Sequence, residues 1–311
     1  MVIEVHQLTR RFGSLTAVDE LSFTVQPGHV TGFLGPNGAG KTTTMRLILG
    51  LDVPTSGQAL VDGRRYGDLI QPLRKVGTLL DASAVHPSRT AWQHALAIAL
   101  SNGIGRRRVT EVLRLTGVDE VANRRVGGFS LGMKQRLGIA VTLLGDAPTL
   151  ILDEPVNGLD PEGIRWIRQF LAQLAAQGRT ILVSSHVLSE MALTADHLLI
   201  LGRGKLLADT STARFLDSNA RHDVLLRSPR ATDLRALITA RGASVTRQAD
   251  GALVVTGMDA AAVGDLAAGH GIAVHALTAR TASLEDAYLD LTGDSVQYRG
   301  EMTPVEGVAA S

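Results

Sequence analysis

In the opening residues MVIEVHQLTRRFG apolar positions alternate with polar ones, the period of a β-strand. From there strand-like and helix-like runs follow one another as far as about Leu207, which predicts an α/β domain with parallel strands. His29 to Leu34 reads as a short apolar strand leading into the glycine-rich stretch GPNGAGKTT, and the helix-like TTMRLIL behind it stops at Gly50. Thr149 to Leu152 and Thr180 to Val183 read as two more buried strands. The segment between them predicts a helix with Asp160 as N-cap, Pro161 in the first turn, Ile164, Ile167, Leu171 and Leu174 on one stripe, and Gly178 past the end.

The texture changes after about residue 220. Strand-like DVLLRS, helix-like RATDLRALITARG, strand-like SVTRQ and ALVVTG around Ala249-Asp250-Gly251, helix-like DAAAVGDLAAGHG and strand-like IAVHALTA follow in turn. That order, β-α-β-β-α-β, predicts a small ferredoxin-like domain of the α+β class. SLEDAYLDLTG predicts a last helix. The expected organisation is a first domain over 1–220, an accessory or regulatory domain over 221–294 and a flexible tail over 295–311.

Composition narrows the class. With 311 residues, 45% hydrophobic and 20% charged, the chain is long and apolar enough for two globular domains. Lys and Arg number 31 against 30 Asp and Glu, so the net charge of +1 offers no electrostatic ground for nucleic acid as a partner. The run Arg106-Arg107-Arg108 reads as a solvated face rather than a patch for nucleic acid or anionic lipid. There is no cysteine, which excludes disulfides, zinc–thiolate sites, iron–sulfur clusters and thiol nucleophiles. A spanning helix needs ~18–20 consecutive apolar residues, and the longest apolar runs, Leu137 to Leu144 and Thr149 to Leu152, are interrupted by Gly-Asp-Ala-Pro. Glu4 and His6 break the core that a signal peptide would need, so the expected place is the cytosol.

The chemistry begins at Gly35-Pro36-Asn37-Gly38-Ala39-Gly40-Lys41-Thr42, a match to G-x-x-x-x-G-K-[ST], followed by Thr43. Glycines there let successive backbone N–H groups face a phosphate, and the helix starting near Lys41 adds its positive end. A chance match is on the order of 10⁻⁵ per position. In such a loop Lys41 reaches the terminal phosphates and Thr42 ligates Mg²⁺. Downstream, Leu150-Ile151-Leu152-Asp153-Glu154 is an apolar strand ending in two carboxylates, suited to holding Mg²⁺ at Asp153 and to general-base chemistry at Glu154.

Together with FSLGMKQR at Phe129 to Arg136, NGLD at Asn157 to Asp160 and SSH ending at His186, these motifs resemble the ATP-binding-cassette (ABC) ATPases over roughly residues 2–215. The resemblance implies a P-loop NTPase fold of the ABC type with a helical subdomain, ATP and Mg²⁺ as ligands, and two copies of the chain sandwiching ATP head to tail. In that arrangement Ser130, Leu131, Gly132 and Met133 face the nucleotide held by the partner copy. The local pattern fits this, since Ser130 is a good N-cap and Leu137, Ala140, Val141 and Leu144 form a helical stripe. The resemblance further implies that Asp160 couples the two sites, that His186 contacts the γ-phosphate and attacking water, and that Phe12 stacks on adenine.

Two departures from the family pattern matter. The signature, ordinarily LSGGQ, reads Phe129-Ser130-Leu131-Gly132-Met133, and Asp81 stands where a glutamine usually meets Mg²⁺ and senses the membrane partner. An ionised carboxylate accepts hydrogen bonds but donates none, so the glutamine's role does not transfer intact. These departures and the extra C-terminal domain are similar to the ATPases of daunorubicin- and bacitracin-resistance exporters. The implied function is an ATPase on the cytoplasmic face of the membrane that powers export of a drug, antibiotic, lipid or other small amphipathic molecule through separate permease subunits. Those would dock on the region after Asp81, including Trp92 to Leu100. The competing reading is a soluble, non-transport ABC ATPase acting as a switch, and a ligand-binding regulatory role for the C-terminal domain, with the cassette as its effector, is compatible with the transport reading.

Overall fold

The computed structural model describes residues 1–219, 222–248 and 250–281. They fall into two compact units, one comprising Met1–Ser211 and the other beginning at Thr212. The sequence pattern places this division later, after residue 220.

In the first unit β1 (Ile3–Phe12) and β2 (Leu15–Val25) form an antiparallel hairpin. They precede β3 (Val30–Leu34), α1 (Lys41–Ile48), β4 (Ser56–Val61) and β5 (Val76–Leu79). The helical stretch that follows contains α2 (Ala91–Ser101), α3 (Arg106–Leu115) and α4 (Leu131–Thr142). The chain then alternates through β6 (Thr149–Leu152), α5 (Pro161–Ala176), β7 (Thr180–Ser185), the short α6 (Leu188–Ala192), β8 (His197–Gly202) and β9 (Lys205–Ser211).

Among the described residues these strands make two sheets. The larger has the order β5-β6-β7-β3-β8-β9, parallel except for the β8–β9 hairpin, and the smaller, β2-β1-β4, is antiparallel. The hydrophobic pattern explains the parallel centre: every residue of β3, β6 and β7 is buried, as expected of strands covered on both faces. It also explains β1, in which Ile3, Val5 and Leu8 are buried while His6 and Gln7 are exposed. These three join Phe33, Met45, Ile48, Ile151 and Leu182 in one apolar core, so both sheets share it.

Helix ends follow the punctuation of the sequence. Asp160 caps α5 by accepting the Gly163 N–H at 2.8 Å, Pro161 occupies its first turn, and Gly178 lies beyond it with φ 85°. Ser130 caps α4 by accepting the Met133 N–H at 3.2 Å. Thr90 and Gln93 form a reciprocal capping box at the start of α2.

In the second unit α7 (Thr212–Asn219) precedes β10 (His222–Arg227), α8 (Ala231–Ala240), β11 (Ser244–Arg247), β12 (Leu253–Thr256), α9 (Ala260–Gly269) and β13 (Ala276–Thr281). The sheet order β11-β12-β10-β13 with antiparallel pairing throughout is the ferredoxin-like arrangement expected from the sequence. The last strand starts at Ala276 rather than near Ile272, which is itself buried in this unit's core with Val224, Leu234 and Val263. The expected helix SLEDAYLDLTG and the tail over 295–311 lie outside the described residues.

Candidate nucleotide-binding site

Strand register brings the chemical motifs together. β3 pairs with β7 so that Leu34 lies beside Ser185, and β7 pairs with β6 so that Leu152 lies beside Val183. The next residues of the three strands, Gly35, His186 and Asp153-Glu154, therefore emerge at one carboxyl edge of the sheet, where open α/β sheets bind ligands.

From Gly35 the loop through Pro36, Asn37, Gly38 and Ala39 returns to Gly40, the N-cap of α1. Gly40 adopts φ 101°, and a Cβ there would strike the Ala17 carbonyl oxygen, so only glycine fits. No side chain caps α1, which leaves its first N–H groups and dipole end for an anion. Asn37, Gly38, Ala39, Gly40, Lys41, Thr42 and Thr43 line a cleft of about 450 Å³ whose wall also carries Phe12 and Glu154. A larger cavity, about 750 Å³, is lined by His6, His29, His197 and Asp209 among others and holds none of the phosphate-loop residues.

Lys41 is 7% exposed. Its ammonium donates to the carbonyls of Gly35 at 2.6 Å and Pro36 at 3.3 Å and lies 3.8 Å from Glu154 Oε1. Burial pushes its pKa below the usual lysine range, against the opposing pull of the Glu154 and Asp153 carboxylates. Thr42 Oγ1 donates to Asp153 Oδ2 at 2.5 Å, while the Ser184 hydroxyl donates to Asp153 Oδ1 and accepts the Glu154 N–H at 2.8 Å. Ser184 thus orients both acidic residues. Ser184 opens the SSH motif but is given no role by it, although a serine inside the buried TILVSS strand signals a hydroxyl that needs a partner.

Glu154 sits in the left-handed region at φ 49°. Its Oε2 lies 2.9 Å from His186 Nδ1. An ionised carboxylate only accepts, so the ring donates from Nδ1 and keeps Nε2 toward other partners. Phe12 is 45% exposed, and the Arg10 guanidinium lies 4.5 Å from its ring centroid. Arg10 in turn donates to the Val53 carbonyl at 2.6 Å. Arg10 too is absent from the sequence candidates.

Ser130, Leu131, Gly132 and Met133 do not line this cleft. They form the first turn of α4, where Leu131 is exposed and Gly132 approaches Gly158 so closely that a Cβ would lie 2.9 Å from the Gly158 oxygen. The loop ending at Asp160 is therefore packed on the start of α4. Asp81 accepts the Ser83 hydroxyl at 2.6 Å and the Ser83 N–H at 2.7 Å, bonds that hold its carboxyl below the usual carboxylate range. Among the described residues it bonds Ser83 rather than Thr42 or Asp153.

The hydroxyl and carboxylate of Thr42 and Asp153 are hard oxygen donors already within bonding distance of each other, which fits Mg²⁺. No cluster of three or more His, Asp and Glu side chains able to hold a metal occurs among the described residues. Mg²⁺ bound beside Thr42 and Asp153 would take further ligands from phosphate oxygens, as it commonly does.

Residues 18–157 match the family described as ABC transporter. Over 306 residues, 94% of this chain and 97% of the relative, the sequence is 34% identical to an uncharacterised ABC transporter ATP-binding protein, YhcH, of Bacillus subtilis (strain 168). The chain belongs to the ABC transporter ATP-binding proteins. It is 44% identical over 211 residues, 67% of this chain and 69% of the relative, to the bacitracin transport ATP-binding protein BcrA of Bacillus licheniformis. A solved ATP-binding subunit of an ABC transporter superposes with a TM-score of 0.64 at 28% identity, covering 70% of this chain and 93% of that one. Residues 222–285 match a domain of unknown function (DUF8746). As an ABC protein the chain is an ATP-binding subunit related to transport ATPases, and no helix among its described residues is long and apolar enough to cross a membrane.

Proposed function

We propose that this ABC subunit hydrolyses ATP in a head-to-tail dimer of two copies and drives export through separate membrane-embedded permease subunits from the cytoplasmic side. The observation that carries the proposal is the junction at Glu154, whose carboxylate lies between the Lys41 ammonium and the His186 ring beside the phosphate loop. The loop N–H groups and the α1 N-terminus hold the phosphates, and Phe12 offers its ring to adenine. Thr42 and Asp153 would hold Mg²⁺, with Asp81 at the position where the family carries a glutamine, and the ion would supply charge neutralisation among the phosphate oxygens. Glu154 accepts the proton of the attacking water, and His186 orients the carboxylate through Nδ1.

The first turn of α4, capped by Ser130 and kept narrow by Gly132, presents N–H groups to the γ-phosphate held by the other copy. Asp160 couples the two sites. A solved dimeric bacterial ABC transporter cassette, 24% identical to this chain with a TM-score of 0.62, supports the fold on which this dimer reading depends. The cargo is a drug, antibiotic, lipid or other small amphipathic molecule, and relatives named for bacitracin and lantibiotic transport support the antibiotic among these. The domain beginning near residue 212 serves as an accessory or regulatory module.

The decisive experiment is affinity purification of the chain from detergent-solubilised native membranes, with ATP hydrolysis assayed on the product. A stoichiometric polytopic protein that stimulates hydrolysis is expected. An active ATPase with no membrane partner, even when ATP is trapped, would replace the transport reading with that of a soluble ABC switch.

A further inference from the structure

We infer that Gln135 is a positioning residue for Glu154, and that it joins the phosphate-reading end of α4 to the general base of the same chain. The inference rests on the proposed role of Glu154.

Gln135 lies in the second turn of α4 and is 4% exposed. A buried carboxamide needs a specific partner. Its Nε2 donates to the backbone carbonyl of Glu154 at 3.2 Å, and since a carbonyl can only accept, the amino side of the carboxamide must be the one facing it. The same carbonyl accepts the Asn157 N–H at 3.2 Å. On the opposite side of the residue, the Glu154 N–H is taken by Ser184. The peptide groups flanking Glu154 are thus held from two directions, which sustains a left-handed backbone unusual for glutamate. The direction of the carboxylate toward Lys41 and His186 follows from that backbone.

The other end of the lever is the start of α4. Gly132 and Leu131 pack on Gly158, and the next residue along from Gln135, Arg136, places its guanidinium 4.9 Å from the Trp166 ring centroid in α5 and donates to the Thr116 carbonyl at 3.3 Å. α4 is therefore anchored on both flanks as a rigid element, and a helix displaced at its first turn carries Gln135 with it. A phosphate held against Ser130 and Gly132 would in this way be felt, through Gln135, at the Glu154 carbonyl of the same copy.

Two substitutions in the full-length chain test this. Gln135→Leu preserves approximate volume and removes the donor; kcat for ATP is expected to fall ~10-fold, the order reached when a positioned catalytic group is mis-set, with KM within about twofold. Gln135→Glu places an acceptor against the carbonyl, and protonation at acid pH restores an O–H donor. The ratio of its kcat to that of the unaltered chain is therefore expected to rise as pH falls, a profile that a merely space-filling role would not give. Wild-type turnover in Gln135→Leu, or a flat ratio in Gln135→Glu, overturns the inference. If Gln135→Leu does not fold, the pH ratio alone decides. Glu154→Gln is assayed alongside: near-normal turnover there refutes the general-base reading itself, whereas its loss together with an unaffected Gln135→Leu refutes only the role of Gln135.

Discussion

Thr42 and Asp153, 111 residues apart in sequence, are joined by a hydrogen bond of 2.5 Å from the Thr42 hydroxyl to Asp153 Oδ2. The contact exists because β3 and β6 flank β7 in the parallel sheet, so the residues that follow them converge. Thr42→Ala removes one oxygen ligand while leaving the loop N–H groups intact. ATP titrations with and without Mg²⁺ are expected to show a weaker enhancement of binding by the metal, since Asp153 and the phosphates remain as ligands, with turnover reduced at least ~10-fold. A metal enhancement equal to that of the unaltered chain would argue against Thr42 as a ligand.

Replacing Glu154 by Gln keeps its shape and removes its basicity. Turnover is expected to drop by ~10²-fold or more while ATP affinity is retained, and gel filtration with ATP should reveal an accumulated dimer. His186→Ala is expected to lower kcat by a smaller factor, because it removes the 2.9 Å contact that orients Glu154 rather than the base itself.

The buried Lys41 carries a cost in the folded protein. Its pKa is lowered chiefly by desolvation, so the folded state binds its proton less tightly than the unfolded chain, whose lysine retains the ordinary value of 10.5. Stability therefore rises with pH between the lowered folded value and 10.5, and below that window the full penalty of the buried charge is present. Lys41→Met is expected to melt higher than the unaltered chain at neutral pH, with the gap narrowing as pH rises through the window, and to lose the thermal shift produced by ATP. A lower melting temperature at neutral pH would mean that the hydrogen bonds to the Gly35 and Pro36 carbonyls and the Glu154 and Asp153 attractions together outweigh burial.

Phe12 offers one partly open ring face, the Arg10 guanidinium lying near the ring. Stacking on a base is worth ~1–3 kcal/mol in comparable settings, so Phe12→Ala should weaken ATP binding by roughly 5- to 150-fold, whereas Phe12→Trp should not. Binding of inorganic triphosphate, which lacks a base, should be unchanged by either. An equal loss for ATP and triphosphate would assign Phe12 to packing.

Gly145 follows α4, where a Cβ would collide with the Leu73 carbonyl oxygen, a backbone atom that cannot swing aside. Gly145→Ala is expected to destabilise the fold by ~1–3 kcal/mol or more in denaturant unfolding. Gly178→Ala meets open space and should cost only the ~1 kcal/mol of a left-handed residue, serving as the control.

Much of this protein is legible in local pattern. The phosphate loop, the strand ending at Asp153-Glu154, the caps at Ser130 and Asp160 and the β-α-β-β-α-β order of the second unit each rest on residues close together in sequence, where period, capping chemistry and glycine placement act directly. Sheet membership is not local. Alternation in β1 predicts a strand but not its partner, and only packing decided that β1, β2 and β4 form an antiparallel sheet of their own and that β9 pairs antiparallel with β8. The same holds for side chains whose meaning depends on a distant partner. Ser184 and Gln135 are ordinary polar residues in a strand and a helix until the sheet order and the seating of α4 bring them to Asp153 and Glu154, because a buried hydroxyl or carboxamide takes its role from whichever group the fold places opposite it.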